Sequence, residues 1–281
     1  MSIAVFFEIT DVCNLACSFC CKTWRTYKSN TMSYEDIDLI LSIDKNHGKI
    51  TGGEPGCVKD KVFYYIERET VPISMNSNLS LWTQDEIREI KAHNVMITAN
   101  IASLRWETHH AITGIRKEEH DNILSNLRYL NPRTDWVTIV VNDLNKDTFA
   151  RDTLTFHSRW GIRNFLLSPM IYNDRQAVNY EDLTPAVERF YRDHRNLNIR
   201  TVGQIQGCCI PPSHSCTAGL NRFVVLSNKD VVPCAWNNKN ILGNLDRDTL
   251  DSICEKGREY WNSFPFNERP LCKGYLENKM N

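Results

Sequence analysis

The chain has 281 residues, 42% hydrophobic and 24% charged, the balance of an ordinary soluble globular protein with room for one large α/β domain and a smaller appendage. Its formal net charge of −1 gives no global attraction to nucleic acid or to an anionic membrane surface, and no run of about 18 apolar residues exists to cross a bilayer. Eleven cysteines, an odd number, follow an N-terminus without the features of a secretion signal, which points to a reducing compartment, the cytoplasm, and to metal or redox chemistry over a disulfide framework.

Residues 3–10, IAVFFEIT, are β-rich and nearly all apolar, which predicts a strand buried on both faces. Directly after it, EITDVCNLACSFCC spaces Cys13, Cys17 and Cys20 as C-x3-C-x2-C. Thiolates that close in a short loop suit a soft metal or an iron–sulfur cluster, and the loop is too short to pair them as disulfides. Three ligands around a four-iron cubane leave one iron for a small molecule. Ser33 opens a capping-box-like helix start with Ile37, Ile40 and Leu41 at helical spacing. A short strand, KIT (49–51), ends in Gly52-Gly53-Glu54-Pro55, and residues 58–68 read as a second helix. PISM (72–75) is a third strand running into Asn76-Ser77-Asn78, and Thr83 with Glu86 forms a capping box for a helix ending near His93.

VMITANI (95–101) is a fourth strand, and a helix is expected over 117–130. DWVTIVVN (135–142) is a fifth strand ending at Asn142, and the helix after it stops at Gly161 as an αL cap. RNFLLSP (163–169) is the sixth strand, and Thr184-Pro185 starts the next helix with proline at its first position. Such alternation predicts a parallel sheet with helices outside, open or barrel-like, with its chemistry at the C-terminal ends of the strands. The cysteine loop, GGEP, Ser77-Asn78 and Asn142 all fall at such ends.

Composition changes after about residue 203, which divides the chain into 1–203 and 204–281. The second part opens with a loop-like stretch holding Cys208, Cys209 and Cys216. RFVVLS and VVPC flank Asn228-Lys229-Asp230 as a β-hairpin ending at Cys234, and 249–262 forms a helix containing Cys254. This tail is too short for a large core, so a metal cluster would supply stabilisation.

CNLACSFC together with ITGGEP resembles the radical S-adenosylmethionine (SAM) enzymes over roughly residues 5–175. The tail, with Cys216 and Cys234 as Cys-x17-Cys and a late Cys272, is similar to the reduced "twitch" form of their SPASM auxiliary-cluster domain. The resemblance implies an α/β fold, a partial (β/α)6 TIM-like barrel with a small C-terminal auxiliary-cluster domain. It implies a [4Fe–4S] cluster on Cys13, Cys17 and Cys20, with SAM on the open iron. The reduced cluster breaks the S–C5′ bond, and the 5′-deoxyadenosyl radical abstracts a substrate hydrogen. On the matching positions, Gly52 and Gly53 let the backbone approach the methionyl amine of SAM, and Glu54 and Pro55 fix the turn. Ser77 and Asn78 stand where the family has a polar pair near ribose and carboxylate, with Leu79 in place of the usual glycine. Asn100 and Ala102 occupy the family's S-x-D positions. Asn142 is a further candidate SAM contact, and Ser168-Pro169-Met170 packs by the adenine. Cys209, Cys216, Cys234 and Cys272 complete a second [4Fe–4S] cluster, with Cys208 the rival for the first of them, and Lys229 replaces the usual hairpin glycine.

Other readings stand beside these. The cysteine triplet alone fits a zinc site with a fourth ligand elsewhere, and the tail cysteines fit buried thiols or a zinc knuckle. Cys254 and Cys57 read as packed residues; the sharper reading of Cys57 is a catalytic hydrogen-atom donor to a substrate radical. His109, His110 and His120 read as surface or satisfied core groups, while Trp24, Tyr27, Trp106 and Trp236 could line a pocket or simply pack. The expected activity is oxidation, epimerisation or cross-linking of a peptide or natural-product precursor, with electrons from a flavodoxin or ferredoxin. A dehydrogenase of a sugar or aminoglycoside is the alternative. A non-enzymatic electron carrier or zinc-stabilised binding protein is the alternative of another class, and it leaves GGEP without a purpose.

Overall fold

Strand-forming runs alternate with capped amphipathic helices along most of this computed structural model, which describes residues 3–20, 30–169, 180–201, 209–211, 217–235 and 240–263. In chain order come β1 (Ala4–Thr10), α1 (Tyr34–Ser42), β2 (His47–Gly52), α2 (Lys59–Ile66), β3 (Ile73–Ser77), α3 (Gln84–Ala92) and β4 (Met96–Asn100). Then follow α4 (Trp106–Thr113), α5 (Lys117–Asn126), β5 (Trp136–Val141), α6 (Phe149–Trp160), β6 (Asn164–Pro169), α7 (Tyr180–Asp193) and β7 (Asn198–Arg200). The remaining elements are β8 (Arg222–Val225), β9 (Asp230–Val232), β10 (Gly243–Asn244) and α8 (Leu250–Asn262). Among the described residues no helix is long and apolar enough to cross a membrane.

Local chemistry explains most boundaries. Ser33 and Thr83 each accept the backbone N–H three residues on, and Asp36 and Glu86 return the bond, so both expected capping boxes form. Gly161 ends α6 at φ 72°, and Gly114 ends α4 in the same way at φ 74°. The helix expected over 117–130 breaks at Asn126 into a 3-10 turn, Leu127–Tyr129. The helix α7 begins at Tyr180, ahead of the expected start, with Pro185 inside it. Proline there removes the bond to the carbonyl of Glu181 and crowds that carbonyl with its ring, a cost confined to the N-terminal end of the helix, which continues to Asp193.

The strands form one ten-stranded sheet in the order β10-β9-β8-β1-β2-β3-β4-β5-β6-β7. Pairing is parallel from β8 through β1 to β7, and the β8–β9 hairpin and β10 are antiparallel. The six expected strands are β1 to β6, adjacent in the sheet, and β8, from beyond residue 203, continues it beside β1. Side chains alternate across each strand. One set, including Phe7, Ile50, Met75, Ile97, Ile139 and Leu167, is buried in the main core. The other set faces a lumen, so β1, expected to be buried on both faces, turns Phe6 half-buried into a cavity.

The β8–β9 turn carries Lys229 at φ 68°, and its ammonium bridges Asp36 of α1 at 3.1 Å and Asp246 at 2.7 Å. Lys229→Gly and Lys229→Ala lose the same ion pairs, but only alanine keeps the left-handed strain. The glycine variant is therefore expected to be more stable by about 0.5–1 kcal/mol in urea unfolding; equal stabilities would show that the turn relaxes.

Between α4 and α5, His109 and His120 are buried with their Nδ1 atoms 2.9 Å apart, and His109 Nε2 has no partner among the described residues. Burial, reinforced by His120, holds His109 down at about 3, and burial also lowers His120. For His109 the unfolded chain binds more protons than the folded one between pH 6.5 and 3, so folding stability falls as pH falls through that window, by up to about 1.4 kcal/mol per pH unit, and the lowered His120 acts in the same direction. Unfolding midpoints at pH 7 and pH 5 check this. His109→Gln is expected to show the shallower decline, and equal slopes would refute the assignment.

Candidate active site

The cysteine loop leaves β1 at Thr10, whose hydroxyl accepts the Val12 N–H at 3.1 Å. It then docks on the end of α4: Ala16 N–H donates to Thr113 O and Ser18 N–H to Ile112 O, both at 2.9 Å. Those carbonyls lack helical partners, so the loop supplies donors that a helix C-terminus needs. Cys13 is exposed, Cys17 and Cys20 are half-buried, and all three line the mouth of the lumen. Burial pushes the Cys13 thiol up to about 11 and Cys17 further, and the neighbouring cysteines add to both. Three soft donors on one rim fit an iron–sulfur cluster, whose binding would displace their protons.

Against this loop lies the turn Gly52-Gly53-Glu54-Pro55. Gly53 N–H donates to Thr10 O at 2.7 Å and Glu54 N–H to Val12 O at 2.8 Å, extending the β1–β2 contact beyond the strands. A Cβ on Gly52, at φ 123°, would lie 2.2 Å from Thr10 O, and one on Gly53 would lie 1.9 Å from Val12 O. Both glycines face the cavity as expected, but the contact that forbids a side chain is with the cysteine loop. Glu54 is buried and accepts from Ser77 Oγ at 2.6 Å, Asn78 N at 2.7 Å, Gly56 N at 3.0 Å and Trp82 Nε1 at 3.3 Å. Burial raises its pKa, and these donors oppose that rise. Pro55 is buried and opens a 3-10 turn over Pro55–Cys57.

The next strand end is tied to the same loop. Asn78 Nδ2 donates to Asn14 Oδ1 at 3.0 Å, and Asn14 Nδ2 donates to Ser80 Oγ at 2.8 Å and Glu119 Oε1 at 3.0 Å. Asn14 had no part in the sequence reading, although it stands inside the motif between Cys13 and Cys17. Leu79 keeps a glycine-like φ of 64° with its side chain fully buried.

The cavity below the rim has a volume of about 840 Å³. Its wall includes Ser77, Asn78, Asn100 and Ala102 near the mouth. Deeper in, His47 and Lys49 of β2, Ser74 and Asn76 of β3, and Arg222 of β8 face it. These deeper polar groups were missed in the sequence; the signal was the alternation in HGKIT and ISMNS.

Other expected residues lie elsewhere. Asn142 is buried outside the cavity wall, its Oδ1 accepting from Leu144 N at 2.9 Å. Cys57 is half-buried behind the cysteine loop, its sulfur accepting the Asn14 N–H, and it too is absent from the wall. A hydrogen-atom donor to a substrate radical would need to face the lumen. Trp106 buries its Nε1 in α4, away from the wall. Cys254 packs against the core from α8. Cys209 is exposed, its N–H donating to Glu188 Oε1 at 2.6 Å, and Cys234 is half-buried after β9. Met170, Cys208, Cys216, Cys272, Trp24, Tyr27 and Trp236 lie outside the described residues.

The sequence profile of the radical SAM superfamily matches residues 7–152, the stretch that carries the loop, the turn and the first five strands. The chain belongs to the radical SAM superfamily. Among curated relatives, the GTP 3',8-cyclase of Pasteurella multocida (strain Pm70) is 33% identical over 123 residues, 40% of this chain and 36% of that enzyme. The chain thus matches only about a third of that relative's length. Two solved structures share the fold of this radical SAM protein. One, anSMEcpe with bound AdoMet and Kp18Cys peptide, has a TM-score of 0.69 at 17% identity, covering 92% of this chain and 83% of the other. The second, Streptococcus suis SuiB bound to precursor peptide SuiA, has a TM-score of 0.65 at 16% identity, covering 90% and 64%. Membership of the superfamily implies a [4Fe–4S] cluster and SAM, and the three rim thiols fit that cluster.

Gly53→Ala would force a methyl group into the Val12 carbonyl and push the loop off the turn. The expected outcome is a loss of most of the cluster iron after anaerobic reconstitution, with a destabilisation of about 2–4 kcal/mol. Wild-type iron content in this variant would show that the loop holds its ligands without the turn.

Proposed function

We propose that this protein uses SAM to abstract a hydrogen atom from a substrate held in the lumen, in the modification of a peptide or natural-product precursor by oxidation, epimerisation or cross-linking. The observation that carries the proposal is the meeting of three thiols, the Gly52-Gly53 turn and Ser77-Asn78 on one rim above a walled cavity with a few polar groups on its lining. When bound, the cluster and SAM together supply a 5′-deoxyadenosyl radical there.

The chain's own residues would hold and orient. Cys13, Cys17 and Cys20 ligate the cluster, Gly52 to Pro55 carry the methionyl end of SAM, and Asn100 offers an amide from β4. Ser77 and Asn78 act mainly by holding Glu54 and Asn14, and so the rim, in place. The walls of β1 to β6 exclude water from the reacting carbon. Peptides bound in the two solved relatives support a peptide substrate. A small molecule is the second reading, favoured by polar groups deep in the lumen and by the match to a nucleotide cyclase. Cys209, Cys216, Cys234 and Cys272 are proposed to hold an auxiliary [4Fe–4S] cluster in a C-terminal unit (204–281), with a cytoplasmic flavodoxin or ferredoxin as the electron donor.

Anaerobic reconstitution followed by dithionite and SAM tests the reading. The expected product is 5′-deoxyadenosine, abolished by alanine at Cys13, Cys17 or Cys20. Alanine at Cys234 is expected to remove about half of some eight irons per chain while sparing the first cluster, since each cubane holds four. No 5′-deoxyadenosine from the wild type would sink the enzyme, and four irons in both proteins would remove the auxiliary cluster.

A further inference from the structure

We infer that the floor of the lumen is an anion-binding subsite, built by Lys49 and Arg222 on either side of Phe6, which holds a carboxylate or phosphate group of the substrate. The inference rests on the lumen being where substrate binds, as proposed above, and it adds the substrate's charge.

The geometry comes from strand pairing. Phe6 on β1 pairs with Lys49 on β2, and Arg222 opens β8, paired with β1 on its other side. Alternation turns all three side chains into the cavity. The Lys49 ammonium lies 5.1 Å from the Phe6 ring centroid and the Arg222 guanidinium carbon 5.6 Å, so both cations share one aromatic ring. Lys49 precedes Gly52 by three residues along β2, about 10 Å at strand rise. That depth separates the subsite from the rim proposed for SAM.

Among the described residues neither cation has a carboxylate: the side chains of Lys49 and Arg222 make no hydrogen bond or ion pair. Other sequestered lysines in this protein are saturated. Lys45 meets Glu69 at 2.9 Å and the Ile40 carbonyl at 2.9 Å, and Lys91 meets Asp135 at 2.7 Å. The acidic groups around the lumen are already committed. Asp11 accepts from Asn30 N at 2.8 Å, Glu54 has its four donors, and Glu8 is engaged. His47 bonds Ser74 Oγ at 2.8 Å, and burial together with Lys49 lowers its pKa, so it adds no counter-charge. Above the cations, Asn76 lines the cavity with a buried Oδ1 that has no partner among the described residues.

Two like charges in one walled pocket with no anion are unfavourable to folding, and burial and Arg222 push Lys49 down to about 8. Such an arrangement persists where a ligand supplies the missing charge. The Arg222 fork and the Lys49 point charge together match the oxygens of a carboxylate or a phosphate.

Thermal unfolding of the reconstituted full-length protein, without SAM or reductant, tests this with inorganic phosphate and with glutarate, each against chloride at equal ionic strength. At least one of the two anions is expected to raise the Tm with saturation. Protection by phosphate alone indicates a phosphorylated substrate, and protection by glutarate alone a carboxylate substrate. Lys49→Met and Arg222→Met are each expected to weaken the effective anion by roughly 10- to 100-fold, and Lys49→Arg to retain it. Without any anion, Lys49→Met is expected to raise the Tm by about 2–4 °C, which shows that the variant is folded. No protection by either anion, or protection that survives in the Lys49→Met, Arg222→Met double variant, overturns the subsite. A wild type that binds anion but forms no 5′-deoxyadenosine would sink the radical reading alone, and the reverse result would sink the subsite alone.

Discussion

Gly53 and Glu54 donate their backbone N–H groups to Thr10 and Val12, and the rim of this protein depends on those two bonds. Parallel strands usually part where their ladders end. Here the ladder continues into two irregular segments, which is feasible only because residues 52 and 53 lack side chains: a methyl group on either would overlap a loop carbonyl. Glu54, placed by the same bond, gathers donors from Ser77, Asn78, Gly56 and Trp82. Asn78 in turn holds Asn14, so the cysteine loop is gripped by the ends of β2 and β3. The far side of the loop rests on the last carbonyls of α4. A loop with three thiols therefore keeps a defined course from backbone bonds before any metal contributes.

Two positions where glycine was expected, Leu79 and Lys229, show geometry persisting without the residue that usually permits it. Leu79 and Lys229 both keep positive φ, which costs a residue with a Cβ roughly 1–2 kcal/mol. At Leu79 the compensation is a fully buried side chain and a carbonyl taken by Asn126 Nδ2 at 3.0 Å. At Lys229 it is a pair of carboxylates on two different elements. Each replacement turns a permissive turn into one that also anchors its surroundings.

Much of this was legible in the sequence, for local reasons. Capping boxes at Ser33 and Thr83, the αL cap at Gly161 and the cysteine loop at a strand end each depend on a few adjacent residues. The lumen was not legible in the same way. Strands such as IAVFFEIT and VMITANI look buried throughout, and only the curvature of the sheet makes their alternate residues into the wall of a cavity. The roles of Lys49 and Asn76 follow from that curvature. Arg222 was hidden further, because nothing near it announces that β8 will lie beside β1. Cys57, next to GGEP in sequence, is half-buried and outside the cavity wall, because the 3-10 turn over Pro55–Cys57 carries it past the rim.

The placement of β8 also changes what the tail does. Composition separates it from the barrel at about residue 203, yet Thr217, Asn221 and Arg222 line the same cavity as Lys49. A tail that only carried cysteines would have no reason to extend the sheet at β1, the strand that leads directly into the cluster loop. By pairing there, it adds a cation to the floor of the lumen while Lys229 clamps its hairpin to α1. Soft thiols at the rim and two cations at the floor give the lumen two chemically distinct ends. A substrate anchored by its charge at the floor would present its other end upward, towards the rim where the hydrogen atom is to be removed.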